Sequence, residues 1–61
     1  MEVFVLMYRP TAGKPAIRIQ AYNTREKAEL ALAFFAKGFH EHHGVRLTTD
    51  DIFIIKDVRE E

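Results

Sequence analysis

Six consecutive apolar or aromatic residues, Val3 to Tyr8, lie near the start of this 61-residue chain and constrain its fold more than any other segment. A run without polar alternation is typical of a strand that is buried on both of its faces. Pro10 ends the run, because proline has no N–H to give to a sheet. A strand with two apolar faces is central in its sheet. The remaining residues must therefore supply a neighbour along each edge and cover for each face.

The next two segments predict a hairpin. Residues 10–15, PTAGKP, contain two prolines and a glycine, which favour a loop. Residues 17–22 then alternate as a strand with one wet face. In this alternation, one face carries Ile17, Ile19 and Ala21, and the other carries Arg18, Gln20 and Tyr22.

A helix is predicted after this second strand. Asn23 or Thr24 can cap it, and Glu26, three residues after Asn23, approximates a capping box. Gly38 could end the helix early, but we favour continuation to about residue 43, where Gly44 is a better stop. One stripe of this helix is apolar at the spacing needed to lie on a sheet: Ala28, Ala31, Leu32, Phe35 and Phe39.

The order of the elements leaves few topologies. After a loop over residues 45–51, Ile52 to Val58 forms a third strand. A right-handed crossover from the second strand to the third, passing over the first, puts the first strand in the middle. We therefore predict a single ββαβ domain of α+β class over residues 1–61. Its three-stranded antiparallel sheet has the order 2-1-3, with one helix packed on one face.

The apolar surface exceeds what one helix can cover. The first and third strands each carry apolar residues on both faces, and the helix has two more, Leu30 and Phe34, outside its core stripe. Contiguous apolar patches on a monomer usually mark an interaction site. We predict a partner-binding or dimer interface made of seven residues: Phe4, Leu6, Tyr8, Arg18, Tyr22, Leu30 and Phe34.

Three histidines, His40, His42 and His43, lie close together near the predicted helix end. His40 and His43 are near enough on one helix face to share a metal, but no third ligand is nearby. The other interpretations are a pH-sensing or partner contact and a polar helix terminus, where such side chains meet the negative end of the helix dipole. We favour the polar terminus and predict no metal site. The TTDD segment at 48–51 is interpreted as a turn.

Composition argues against several classes of protein. Nine basic and nine acidic side chains cancel, which argues against capture of nucleic acid by net charge. The absence of cysteine excludes disulfides and thiolate metal sites. No phosphate-binding loop or catalytic motif is present, so we predict neither enzymatic activity nor a cofactor. The amino terminus has no basic leader and its apolar run is too short to span a membrane, which favours a cytoplasmic protein without a membrane partner.

Residues 17–39, IRIQAYNTREKAELALAFFAKGF, resemble the strand, turn and helix half of SPOR domains, with a polar cap, an Ala-Glu pair and a helix that ends near Lys-Gly-aromatic. The resemblance implies a domain that binds denuded glycan strands of peptidoglycan in the periplasm. It covers about a third of the chain, and the second helix of that fold has no counterpart here. We therefore transfer no site residues from it.

These patterns together predict a small non-enzymatic protein-binding module. We expect a homodimer that acts as an accessory, adaptor or inhibitor of a larger protein, like the small regulators of phages and bacteria. The alternative is a single-stranded nucleic-acid-binding protein, in which bases stack on the open face of the sheet. The outward residues in that alternative are Phe4, Leu6, Tyr8, Arg18, Gln20 and Tyr22.

Overall fold

The computed structural model describes residues 1–58 of the chain. It contains strands β1 (Glu2–Tyr8) and β2 (Ile17–Tyr22), helix α1 (Arg25–His43) and strand β3 (Ile52–Val58). β1 is the middle strand of the sheet and runs antiparallel to both neighbours, so that the order is β2-β1-β3. The predicted ββαβ sequence of elements, the strand order 2-1-3 and the α+β class are confirmed.

The helix covers the sheet face that carries the even-numbered residues of β1. The ring of Tyr8 lies 5.2 Å from that of Phe35 and 5.9 Å from that of Phe39, measured between centroids. Leu6, two residues before Tyr8 and therefore on the same face, is only 1% exposed. Ala28 of the helix is fully buried, and its small side chain lets the helix lie close to the sheet. The main core is the layer between these two elements.

Cross-strand pairing identifies which other residues lie under the helix, because directly opposite residues share a face of the sheet. Tyr22 of β2 lies opposite Phe4, and Ile52 of β3 lies opposite Tyr8 and is buried. The guanidinium of Arg25, in the first turn of the helix, lies 5.8 Å from the centre of the Phe4 ring. These contacts close the two ends of the core layer.

The strict alternation predicted for β2 is wrong between Gln20 and Arg18, where the register of the strand shifts by one residue. Gln20 lies opposite Leu6, but Arg18 lies opposite Met7, the next residue of β1. Ile19 is left between them, as at a β-bulge, where one strand has an extra residue. Arg18 consequently shares a face with Met7, away from the helix, whereas Gln20 is on the helix side.

The amino-terminal end of α1 is capped by a side chain. The hydroxyl of Thr24 accepts a hydrogen bond from the backbone N–H of Lys27 at 3.2 Å. This bond satisfies one of the N–H groups that have no partner within the helix. Of the two predicted caps, the structure uses Thr24 rather than Asn23, so the suggested capping box with Glu26 is not the arrangement found.

The carboxyl-terminal end of α1 lies at Gly44, as predicted. Gly44 has φ 69°, in the left-handed region, and its N–H donates to the carbonyl of His40 at 2.8 Å. Glycine favours this position because it has no Cβ to clash in the left-handed conformation. The helix passes through Gly38 without ending there.

Replacing Gly44 by alanine is expected to lower the free energy of unfolding by about 1 kcal/mol, because alanine is strained at positive φ. Urea denaturation followed by circular dichroism measures this change. Gly38→Ala is the matched control, since the same substitution inside a helix should raise the free energy of unfolding by about 0.5 to 1 kcal/mol. Apart from the chain neighbours of Gly38 and the adjacent helix backbone, no atom lies within 4 Å of a Cβ added at residue 38. Two changes of the same sign would contradict the assigned roles of these glycines.

A tight turn leads into β3. The backbone N–H and the hydroxyl of Thr48 both donate to Oδ2 of Asp51 at 3.1 Å. The N–H groups of Asp51 and Ile52 donate in return to the carbonyl of Thr48 at 3.0 Å. The interpretation of TTDD as a turn is confirmed, and the carboxylate of Asp51 is occupied by that turn.

Candidate interaction surfaces

The face of the sheet opposite α1 has no second layer within residues 1–58. We call it the open sheet face. Pairing with the odd-numbered residues of β1 identifies its members. They are Val3, Val5 and Met7 of β1, Arg18 and Ala21 of β2, and Phe53, Ile55 and Asp57 of β3.

An ion pair crosses the middle of the open sheet face. Arg18 of β2 lies opposite Met7, and Asp57 of β3 lies opposite Val3. The guanidinium of Arg18 and the carboxylate of Asp57 are 3.4 Å apart. The pair therefore spans β1 diagonally over Val5, which is only 1% exposed although it points away from the helix. Both charged side chains are about half exposed, so their attraction contributes little to stability.

Apart from the ion pair, the open sheet face is apolar, and a second arginine, Arg9, lies beside it. The guanidinium of Arg9 lies 5.7 Å from the centre of the Phe53 ring, within range of a cation–π contact. Ile55 of β3 is exposed on this face. This face is thus a mixed surface, with apolar residues around a central ion pair.

The structure corrects the predicted grouping of site residues. Phe4, Leu6 and Tyr8 lie under the helix together with Tyr22, and they are not on the open sheet face. Sequence reasoning could not separate the two faces of β1, because both are apolar. Arg18 is on the open sheet face and is thus separated from those aromatic rings, with which the prediction had grouped it.

The predicted helix residues, Leu30 and Phe34, are exposed by 61% and 72% of their surface. They belong to a row of residues four apart, which we call the exposed helix stripe. Residues at this spacing are neighbours on a helix surface. The exposed helix stripe consists of Glu26, Leu30 and Phe34, which lie within about 80° of one another on the outer side of α1.

Two shallow grooves lie along the exposed helix stripe. The first has a volume of about 330 Å³ and is lined by Phe34, Phe35, Gly38, Phe39, His42 and His43. The second, of about 360 Å³, is lined by Glu26, Glu29 and Leu30 near the start of the helix. Gly38 opens the first groove, because a residue without a side chain leaves a gap between its neighbours. Sequence reasoning missed this role, although the spacing of Gly38 from Phe34 was visible.

The three histidines lie exposed at the end of α1. The imidazole ring of His43 is 4.5 Å from the ring of Phe39, between centroids. Within residues 1–58, no three His, Cys, Asp or Glu side chains are grouped so that they could hold a metal ion. All three histidines lie in the last turn, where polar side chains interact favourably with the helix dipole.

Replacing His40 and His43 together by glutamine is expected to change the free energy of unfolding by no more than about 1 kcal/mol. Stoichiometric zinc should leave the melting temperature and the mass of the wild-type protein unchanged. Differential scanning calorimetry with and without zinc measures the stability and the melting temperature, and native mass spectrometry measures the mass. His40→Gln alone is the control, because it leaves the contact between His43 and Phe39 intact. A zinc-dependent rise of several degrees that is lost in the double variant would show that these histidines bind metal.

The dimensions of the chain are somewhat larger than those of a compact domain of equal length. Its accessible surface is 4729 Å², whereas a compact monomer of this size exposes about 4,100 Å². The radius of gyration is 12.0 Å, compared with about 10.5 Å for a compact domain of equal length. Both values are larger than expected, as they would be for a sheet that has a helix on only one side.

Comparison with known proteins gives no family for this chain. No family model matches it, and no curated protein and no solved structure matches it. The resemblance of residues 17–39 to SPOR domains therefore has no family match to support it. No helix in the described part of the chain combines the length and apolar character needed to cross a membrane.

Proposed function

We propose that this chain is a small non-enzymatic protein-binding module that works in the cytoplasm as a homodimer. It acts as an accessory, adaptor or inhibitor of a larger protein, in the manner of small phage and bacterial regulators. The observation that carries the proposal is the exposure of Phe34 beside Leu30 on the outer side of α1. Covering two large apolar side chains is favourable by about 25 cal/mol for each Å² removed from water.

Two separate surfaces support a binding role. The exposed helix stripe and the open sheet face lie on opposite sides of the domain, because the helix packs on the other face of the sheet. Domains of about 60 residues bury a small fraction of their surface and often complete their core by association. One surface can pair two copies while the other contacts a larger protein.

The placement of three of the carboxylates supports a non-enzymatic role. Asp51 accepts hydrogen bonds within its turn, Asp57 pairs with Arg18, and Glu2 pairs with Lys56 at 3.1 Å. General acid–base catalysis needs a carboxyl group aimed at a substrate site rather than at neighbouring side chains. These three carboxylates are occupied by contacts within the domain.

The nucleic-acid alternative loses its main support. The aromatic rings of Phe4, Tyr8 and Tyr22, on which bases would stack, lie on the helix side of the sheet. Of the described residues, Phe53 is the aromatic member of the open sheet face, and Arg9 already lies over its ring. A stacking platform needs several accessible rings beside a basic groove.

Sedimentation equilibrium between about 5 and 200 µM, combined with titration of a fluorescent single-stranded oligonucleotide, tests the proposal. We expect a dimer to predominate by about 100 µM and oligonucleotide binding to be weaker than about 100 µM at physiological salt. A folded monomer throughout that range would contradict the dimer. Submicromolar, salt-sensitive affinity for the oligonucleotide would favour the alternative function instead.

A further inference from the structure

We propose that two copies of this chain pair edge to edge through β3, so that their two three-stranded sheets join into one. This inference rests on the proposed homodimer and assigns it to the edge of the sheet rather than to either apolar surface. The occupant of the edge is a second copy, related to the first by a two-fold axis at Ile55. The exposed helix stripe and the open sheet face stay free for the larger protein.

The outer edge of β3 is regular. β3 is an edge strand, and no other strand lies on its outer side within residues 1–58. All of its residues pair with β1 in one unbroken register, from Ile52 opposite Tyr8 to Val58 opposite Glu2. Neither proline, glycine nor a bulge interrupts the strand. An edge of this kind is a template for a further strand.

Alternate residues of β3 direct their N–H and C=O groups outward, because the backbone groups of an antiparallel strand face its two sides in turn. The N–H of Arg9 donates to the carbonyl of Asp51 at 2.6 Å, one step beyond the pair of Tyr8 and Ile52. Counted from Asp51, the odd-numbered residues of β3 therefore bond to β1, and the even-numbered residues point outward.

Local hydrogen bonds close both ends of this edge. The N–H of Ile52 donates to the carbonyl of Thr48 at 3.0 Å, and the N–H of Val58 donates to the carboxylate of Asp57 at 2.8 Å. Both bonds agree with the outward direction of the even-numbered residues. The donors that remain for a partner strand are confined to the middle of the edge, on either side of Ile55.

A two-fold axis at Ile55 satisfies the remaining groups together. In a two-fold interface, residue i of one copy contacts residue j of the other while j contacts i. The axis places Ile54 of each copy opposite Lys56 of the other, and each such pair exchanges two hydrogen bonds. An axis at Ile54 or at Lys56 would instead leave one carbonyl of each copy facing an N–H that is already bonded. The hydrogen-bonding pattern of the edge therefore fixes both the partner strand and its register.

The side chains of β3 suit the same arrangement. Ile55 is 37% exposed and faces Ile55 of the other copy across the axis, and such β-branched pairs stabilise neighbouring strands. Nζ of Lys56 lies 3.1 Å from the carboxylate of Glu2 on β1. Asp57 reaches across β1 to Arg18. Charged side chains often protect an edge, but these two lean toward the interior of their own sheet.

A second copy fits this edge better than a flexible peptide does. A flexible peptide would lose conformational entropy on ordering, in return for the few hydrogen bonds available around Ile55. Another copy presents the same groups already held in a sheet. The axis is perpendicular to the sheet, so both helices lie on one side. The centres of the two joined sheets are about 14 Å apart, which leaves room for helices of about 10 Å diameter.

Ile55→Cys tests the position of the axis, since the chain has no cysteine of its own. Residues that face each other there lie between the hydrogen-bonded pairs, with Cα atoms about 4.5 Å apart, which is within the range of a disulfide. Oxidation with diamide should convert most of this variant into a covalent dimer on a non-reducing gel. Val58→Cys is the control. It is exposed on the same strand, but its two copies would be about 20 Å apart and should cross-link at least about tenfold more slowly.

Lys56→Pro tests the hydrogen bonds of the edge. Proline removes an outward N–H and none that bonds to β1, and edge strands tolerate proline at such positions. One strand pair buries less than a standard interface, so we expect a wild-type dissociation constant of about 10 µM. Sedimentation equilibrium should show a constant at least about tenfold higher for Lys56→Pro, with a folded circular dichroism spectrum. Lys56→Ala, which keeps the N–H, is the matched control and should stay within about threefold of the wild type.

The outcomes separate this pairing from the proposed homodimer. A wild-type dimer that neither cross-links through Ile55→Cys nor weakens with Lys56→Pro would overturn the pairing through β3 and leave the homodimer standing. A wild-type monomer at about 200 µM would overturn both. If Lys56→Pro does not fold, the two cysteine variants decide: equal cross-linking at residues 55 and 58 would overturn the register, and selective cross-linking at residue 55 would support it.

Discussion

Replacing Leu6 by alanine is expected to lower the free energy of unfolding by about 3 kcal/mol. Leu6 is 1% exposed in the middle of β1, directly under the helix, so its loss leaves a cavity that neither layer can fill. A domain of this length has a total stability of roughly 3 to 9 kcal/mol, so this loss is between a third and all of it. Urea denaturation at about 2 µM protein, followed by circular dichroism, measures the loss without a contribution from dimerisation.

Leu30→Ala is the matched control for this experiment. It removes the same atoms from a leucine that is 61% exposed, so the free energy of unfolding should change by no more than about 0.5 kcal/mol. Equal losses at Leu6 and Leu30 would show that the helix does not pack on the even-numbered face of β1.

Replacing Tyr8 by alanine is expected to lower the free energy of unfolding by about 2 kcal/mol. The ring of Tyr8 contacts both Phe35 and Phe39, and these contacts join the end of β1 to the second half of the helix. Thermal unfolding followed by circular dichroism measures the loss. Tyr8→Phe is the control, because it keeps the ring and should cost less than about 0.5 kcal/mol.

The Tyr8 variant also distinguishes between the two functions. If the sheet used this ring as a stacking platform, alanine would weaken oligonucleotide binding by about 1 to 3 kcal/mol and leave stability nearly intact. The packing of Tyr8 against the helix predicts the opposite result. Loss of oligonucleotide affinity without loss of stability would contradict the position of Tyr8 in the core.

The central position of β1 could be predicted because an unbroken apolar run is stable only with neighbours on both sides. The core stripe of the helix could also be predicted from its spacing, and two of its members, Phe35 and Phe39, contact Tyr8. The end of the helix at Gly44 followed from the need for a left-handed residue there. These features depend on local patterns, which sequence displays directly.

The face on which the helix lies could not be predicted, since β1 has apolar residues on both sides. The choice depends on how helix rings such as Phe35 fit against Tyr8, which is a matter of three-dimensional packing. The position of Arg18 was equally hidden. A one-residue shift at Ile19 moves a side chain from one face to the other without changing the composition of the strand. The site residues therefore divided between core and surface in a way that periodicity alone does not reveal.

The register shift at Ile19 also bears on how far this chain can assemble. β2 is an edge strand, and a regular edge is a template for further strands and hence for open-ended fibres. The shift interrupts the even spacing of N–H and C=O groups that an incoming strand needs. Pairing about a two-fold axis, by contrast, is complete after two copies. Of the two edges of the sheet, the one at β2 is therefore a poor template for filaments.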